Sequence, residues 1–204
     1  MPLPTASVPF YHQHARHLAD LYDSLPFEQL HQGWLAQISQ PGLALDVGAA
    51  AGRDSRWLAS AGWQVVAVEP AAAMRELGIH TLQAQTNIRE QVEWLDDSLP
   101  HLALVPERSY DLILVSAVWM HLSMAHRPAA LRRLAGLLAA DGLLVITLKN
   151  SAQDPRRPSY PVSAMEVRAM ARPLKLMVEE LPPSEDLLQR HAVRWQTLLL
   201  RRQS

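Results

Sequence analysis

Residues 44–59, ALDVGAAAGRDSRWLA, place an acid at the end of an apolar run and a loop of small residues directly after it. Asp46 closes the run, Gly48, Ala49, Ala50, Ala51 and Gly52 form the loop, and Arg53 opens a helix. Small residues let a ligand approach backbone amides at a helix start, and a carboxylate beside them supplies an acceptor. Polar residues recur at the ends of the next apolar runs: Glu69 after QVVAV, Asp96 and Asp97 after VEWL, and Ser116 at the end of YDLILVS. Four such groups at four successive strand ends carry more than any one of them. His121, in SAVWMHL, is the titratable group nearest the fourth end. An imidazole that titrates near neutrality can take a proton from an oxygen or nitrogen nucleophile.

These groups need elements to hold them. Residues 12–38 read as helices with a break at SLPFE, and Leu18, Leu21, Leu30, Trp34 and Ile38 recur at roughly helical spacing. Strands are expected at 43–47, 64–69, 92–95, 110–116 and 143–148. Between them RDSRWLASAG, PAAAMRELG with Pro70 at its start, and RPAALRRLAGLLAADG ending at Gly142 read as helices. A Pro-rich loop, a helix at VSAMEVRAMA and two strands, LKLMVEE and VRWQTLLL, close the chain. Alternating strands and helices imply right-handed crossovers and a parallel sheet covered on both faces. In such a sheet ligands sit beyond the carboxyl ends of the strands.

The loop also bears on which cofactor fits. A dinucleotide fingerprint needs G-x-G-x-x-G; here the middle glycine is Ala50 and the third position is Arg53. A bulky arginine suits a pyrophosphate poorly. S-adenosylmethionine has no phosphate, and small residues beside an acid make room for its amino-acid tail. Glu69, 21 residues after Gly48, can accept both ribose hydroxyls, a feature that nicotinamide and methionine-type cofactors share.

The blocks ALDVGAAAGRDSRWLA, VVAVEPAAAM, WLDDSLP, YDLILVSAVWMHL and LLAADGLLVITL occur in order. As a set, over roughly residues 10–200, they resemble the class I S-adenosylmethionine-dependent methyltransferases. Within that superfamily the chain is most similar to small bacterial enzymes with GRD and AVWMHL signatures. The resemblance implies a Rossmann-like three-layer α/β/α sandwich, its seven-stranded, mostly parallel sheet having an antiparallel last strand. It implies that Asp46, Gly48 and Gly52 frame the methionine tail, with Ala49 beside them and Arg53 near the cofactor carboxylate. Glu69, followed by Pro70, would hold the ribose. Asp96 with Asp97 would face the adenine amino group, or cap a helix, and Ser116 would lie by the sulfonium. Ala50 departs from the usual middle glycine. Tyr11 and Tyr22 fall in N-terminal helices that often fold over the cofactor in this family; packing between helices is the other reading.

On the acceptor side, His121 either serves the substrate or hydrogen-bonds backbone in a tight loop. Trp119 either covers the cofactor or substrate face or packs in the core. Arg156 and Arg157 lie in the loop after the fifth strand, where an anion could enter. His12, His14, His17 and His31 do not place three ligands on one face beside an acid, so no metal site is expected. The expected reaction is methyl transfer from S-adenosylmethionine, by direct in-line displacement, to a small molecule. The alternatives are a non-catalytic module that binds the same cofactor and an NAD-dependent oxidoreductase.

Composition narrows the classes. The 204 residues contain no cysteine, which excludes disulfides, cysteine-ligated metals and a cysteine nucleophile and fits a cytoplasmic protein. Length suits one methyltransferase domain over 1–204, with residues 1–40 as a helical lid and 41–204 as the core. The longest apolar runs are too short to span a bilayer. Net charge is −1, yet residues 149–204 hold 10 Lys/Arg against 6 Asp/Glu.

Overall fold

The computed structural model describes residues 6–38, 40–150, 157–190 and 192–203. Alternation along each buried strand explains the sheet. In β1 (Leu43–Val47), Leu45 and Val47 enter one core cluster while Ala44 enters the other. In β2 (Gln64–Val68), Val66 and Val68 divide likewise from Val65 and Ala67. β4 (Tyr110–Val115), β5 (Leu138–Asn150) and β8 (Arg194–Arg202) repeat the pattern, for example Ile113 against Leu112, Ile146 against Val145 and Leu198 against Leu199. Side chains of successive residues leave a strand on opposite faces, so near-continuous apolar runs demand cover on both.

With β3 (Val92–Leu95) and β6 (Leu176–Glu180), the strand order is β3-β2-β1-β4-β5-β8-β6. β1 to β5 pair in parallel, and β8 runs antiparallel between β5 and β6. This is the Rossmann-like architecture expected, with one small addition: a two-residue strand β7 (Ser184–Glu185) pairs with β8. The strand order reverses between β1 and β4, which makes their carboxyl ends the ligand crevice.

Helices α1 (Val8–Gln13), α2 (Ala15–Asp23) and α3 (Phe27–His31) precede the sheet. Ala15, Leu18 and Ala19 pack against Ala51, Ala71 and Met74, so α2 rests on the loop after β1 and on α5 (Ala72–Gln83). α4 (Arg53–Ser60) follows the loop, and α7 (Ala164–Ala171) precedes β6. α6 (Arg127–Leu137) ends five residues before Gly142, where the sequence pattern had placed its stop. The reason is tertiary: Leu138 already pairs with Tyr110, and Arg202 takes the last carbonyls, those of Ala135 at 2.6 Å and Leu138 at 3.0 Å. No helix among the described residues is long and apolar enough to cross a membrane.

Candidate active site

A cavity of about 850 Å³ opens at the carboxyl ends of the central strands. That is toward the upper end of the roughly 300–1,000 Å³ of small-molecule sites. Asp46, Gly48, Ala49, Arg53, Glu69, Pro70, Asp97 and Ser116 line it, together with Tyr11, Tyr22 and His121.

The loop after β1 needs its small residues. Gly48 has φ +74°, and a Cβ there would lie 2.3 Å from Val118 Cγ2. Gly52, at φ +81°, does not line the cavity; it turns the chain into α4, and a Cβ would meet the Trp94 ring at 2.8 Å. Ala50 also adopts a left-handed conformation, φ 50°, which costs a non-glycine residue roughly 1–2 kcal/mol. Its N–H, at 2.9 Å, donates to Glu69 Oε2 and holds the loop there.

The carboxylates are set by backbone and short side chains. Glu69 Oε1 accepts from Ala71 N at 2.8 Å, leaving further lone pairs on both oxygens. Burial pushes its pKa up to about 7 despite those two amides. Asp46 Oδ2 accepts from Ser55 Oγ at 2.6 Å. Burial and the nearby Asp54 charge raise its pKa. Asp54 itself stays ionised: its desolvation is outweighed by Arg53 Nε at 2.7 Å and His31 Nε2 at 3.1 Å. Arg53 also donates to Tyr22 O at 3.3 Å, tying α2 to the loop.

The adjacent acids separate. Asp97 is buried in the cavity wall and accepts from Ser98 N and Leu104 N. Asp96 turns out to solvent and pairs with Arg75 at 3.1 Å, so the expectation that it faces adenine is corrected. Of the two readings of Trp119, core packing holds and the substrate-facing one does not: it is fully buried in the core and lines no cavity. Arg156 lies outside the described residues.

His121 sits in a 3₁₀ turn, Trp119–His121, after β4. Its Nδ1 is 2.9 Å from Pro158 O, which can only accept, so Nδ1 carries the proton. Nε2 then accepts from the Tyr11 hydroxyl at 2.9 Å. Burial, with Arg157 and Lys149 nearby, lowers the His121 pKa to about 4, against the hydrogen bond to Pro158. Burial first, then Tyr22, raises that of Tyr11. The imidazole is neutral and its free nitrogen is already taken.

A fully buried arginine fixes the loop that carries Pro158. Arg127 donates to Leu122 O at 3.1 Å, Pro161 O at 2.9 Å and Glu166 Oε2 at 2.6 Å. The Tyr160 amide adds a bond to Met120 O at 2.8 Å. Sequence reasoning did not single out Lys149, Arg190 or Trp195, which also line the cavity. Lys149 had a signal: it stands at the carboxyl end of β5, as the four polar groups stand at the ends of β1 to β4.

The fold is the Rossmann-like fold of S-adenosylmethionine-dependent methyltransferases. A methyltransferase 1,6-didemethyltoxoflavin-N1-methyltransferase from Burkholderia thailandensis, bound to its substrate and S-adenosylhomocysteine, superposes with a TM-score of 0.73 at 17% identity, over 97% of this chain and 87% of that one. A Leishmania major S-adenosylmethionine-dependent methyltransferase gives 0.74 at 18%, over 95% and 81%. Magnesium protoporphyrin IX methyltransferase from Synechocystis PCC 6803, with S-adenosylmethionine bound, gives 0.67 at 18%, over 95% and 84%. No curated protein matches the sequence. The profile of the methyltransferase domain family matches residues 11–195, and the chain belongs to that family.

Proposed function

We propose that the protein transfers a methyl group from S-adenosylmethionine to a small-molecule acceptor. The observation that carries this reading is one cavity wall built by Asp46, Glu69 and Asp97 at the ends of β1, β2 and β3. Carboxylates on one wall suit a ligand that presents an ammonium, two ribose hydroxyls and an amino group, all donors. The same wall would repel a pyrophosphate, which argues against a dinucleotide.

When bound, this cofactor supplies a methyl on a sulfonium, which an acceptor lone pair takes while the bond pair stays on sulfur. The chain's own work is to hold the two ligands in line and exclude water. Glu69 is pre-set for the ribose by the amides of Ala50 and Ala71. Asp46, Gly48, Ala49 and Arg53 surround the place for the amino-acid tail, Asp97 and Pro70 the base, and Ser116 the reacting carbon. Helices α1 and α2 bring Tyr11 and Tyr22 over the site as a lid. Tyr11, held by His121, offers its oxygen lone pairs to the acceptor; a histidine with so low a pKa orients Tyr11 better than it removes a proton.

Calorimetry tests the reading. S-adenosylhomocysteine should bind in the micromolar range, about −8 kcal/mol, and NAD should not. NAD binding in place of S-adenosylhomocysteine would overturn it.

A further inference from the structure

Beyond Tyr11 the cavity changes sign. Arg157 and Lys149 both line it, and both act electrostatically on His121. Several carboxylates that line the cavity are engaged or exposed. Asp186 takes Arg190 through Nη2 at 2.6 Å and Nε at 2.8 Å and accepts from Trp195 Nε1 at 2.8 Å. Asp23 pairs with Arg56 at 2.7 Å, and Glu185 is exposed. Among the described residues no carboxylate lies within ion-pair distance of Arg157, whose guanidinium sits 5.7 Å above the Phe10 ring centroid. A guanidinium stacked on a ring keeps its fork edge for a planar oxyanion.

We propose that the acceptor carries an oxyanion, a carboxylate or a phosphate, which docks on Arg157 and turns the acceptor's nucleophile toward Tyr11. The inference rests on the methyltransferase reading and narrows its substrate class. It gives the cavity a direction. An acidic wall receives a cationic, donor-rich ligand, and a basic wall across from it receives an anionic one, so neither ligand gains by entering the other's place. Trp195 and Tyr160, which also line this side, supply apolar surface for the acceptor's body.

The test uses protein saturated with S-adenosylhomocysteine and titrated with benzoate, phenyl phosphate and benzyl alcohol at constant ionic strength. One of the two anions should bind at least tenfold more tightly than the alcohol, and which one does so identifies the oxyanion. Arg157→Gln should remove that preference while leaving S-adenosylhomocysteine affinity and the urea midpoint unchanged. Equal binding of the alcohol, no binding of either anion, or a loss in Arg157→Gln that falls on all three probes alike would overturn the proposal. S-adenosylhomocysteine binding is measured first in the same series. Its failure would sink the methyltransferase reading itself, whereas its success without an anion preference sinks only this step.

Discussion

The two halves of the cavity are built by different means. On the proposed cofactor side each carboxylate has a partner close to its own strand end: Glu69 has Ala71 N, Asp97 has Ser98 N, and Asp46 has Ser55 on the helix that follows β1, with Ala50 N, 19 residues away, as a second partner of Glu69. On the acceptor side the bonds that hold Tyr11, His121 and the loop of Pro158 join residues remote in the chain. Tyr11 and His121 are 110 residues apart, His121 and Pro158 are 37 apart, and Arg127 and Pro161 are 34 apart. The first half is a product of strand, turn and helix start. The second is a product of side chains that meet only after the sheet has formed. An acceptor site of the second kind can be rewritten by a few substitutions without disturbing the cofactor site.

Arg127 offers the largest break between the halves. Arg127→Met leaves the carbonyls of Leu122 and Pro161 without this partner and Glu166 without its cation. Each buried group left unsatisfied costs about 1–3 kcal/mol. A loss of about 3 kcal/mol in urea unfolding is expected, while the affinity of the folded protein for S-adenosylhomocysteine stays within about threefold. A parallel collapse of that affinity would show that the halves are one unit.

Glu69 tests the other half. Glu69→Ala removes the proposed ribose acceptor and frees the Ala50 and Ala71 amides. Charge-assisted hydrogen bonds contribute roughly 1.5–3 kcal/mol each, so S-adenosylhomocysteine should bind at least tenfold and up to about a hundredfold more weakly by calorimetry. Unchanged affinity would mean that the ribose is held elsewhere.

The same residue gives a pH signature smaller than its deletion. Its pKa of about 7 in the free protein lies above the ordinary 4.5 because the charged form is buried. The folded state therefore holds a proton that the unfolded state has lost between those values, so Glu69 costs stability as pH rises through that window. Donor hydroxyls favour the ionised carboxylate, so affinity for S-adenosylhomocysteine should rise about tenfold from pH 6 to pH 8. The slope should flatten in Glu69→Gln. His121 has the opposite sign: depressed from 6.5 to about 4, it costs stability as pH falls through that interval.

This division also decides what the sequence could tell. The strand ends were legible because apolar runs mark buried strands, and the polar residue closing each run falls at the crevice. Asp96 and Asp97 both follow the end of β3 at Leu95, so strand alternation does not decide which of them faces the crevice. WLDD does not say which, and Asp97 rather than Asp96 proved to be inside. LAGLLAADG reads as helix by propensity, but pairing with Tyr110 and the reach of Arg202 end α6 at Leu137. Trp119 and His121 look alike as loop residues beside a site. One fills the core and the other meets Tyr11, and no local pattern separates those fates.

The smallest effect expected is at His121. The sequence alone leaves open a general base, whose loss would cost ~10²–10⁴-fold in turnover. The structure weakens that possibility on two grounds. Nε2 is already engaged by Tyr11, and a pKa of about 4 makes the imidazole a poor proton acceptor at neutral pH. His121→Ala should therefore lower turnover by less than about tenfold, through lost positioning of Tyr11. Tyr11→Phe should do the same, and the double variant should be no worse than the poorer single one, because both remove one interaction. At saturating S-adenosylmethionine, where the Glu69 titration no longer limits binding, the wild-type turnover should show no inflection near pH 6.5, since His121 stays neutral well below it. A loss beyond about a hundredfold in His121→Ala, with S-adenosylhomocysteine affinity intact and a pH dependence abolished, would restore the base. It would also make the acceptor side a catalytic device as well as a binding one.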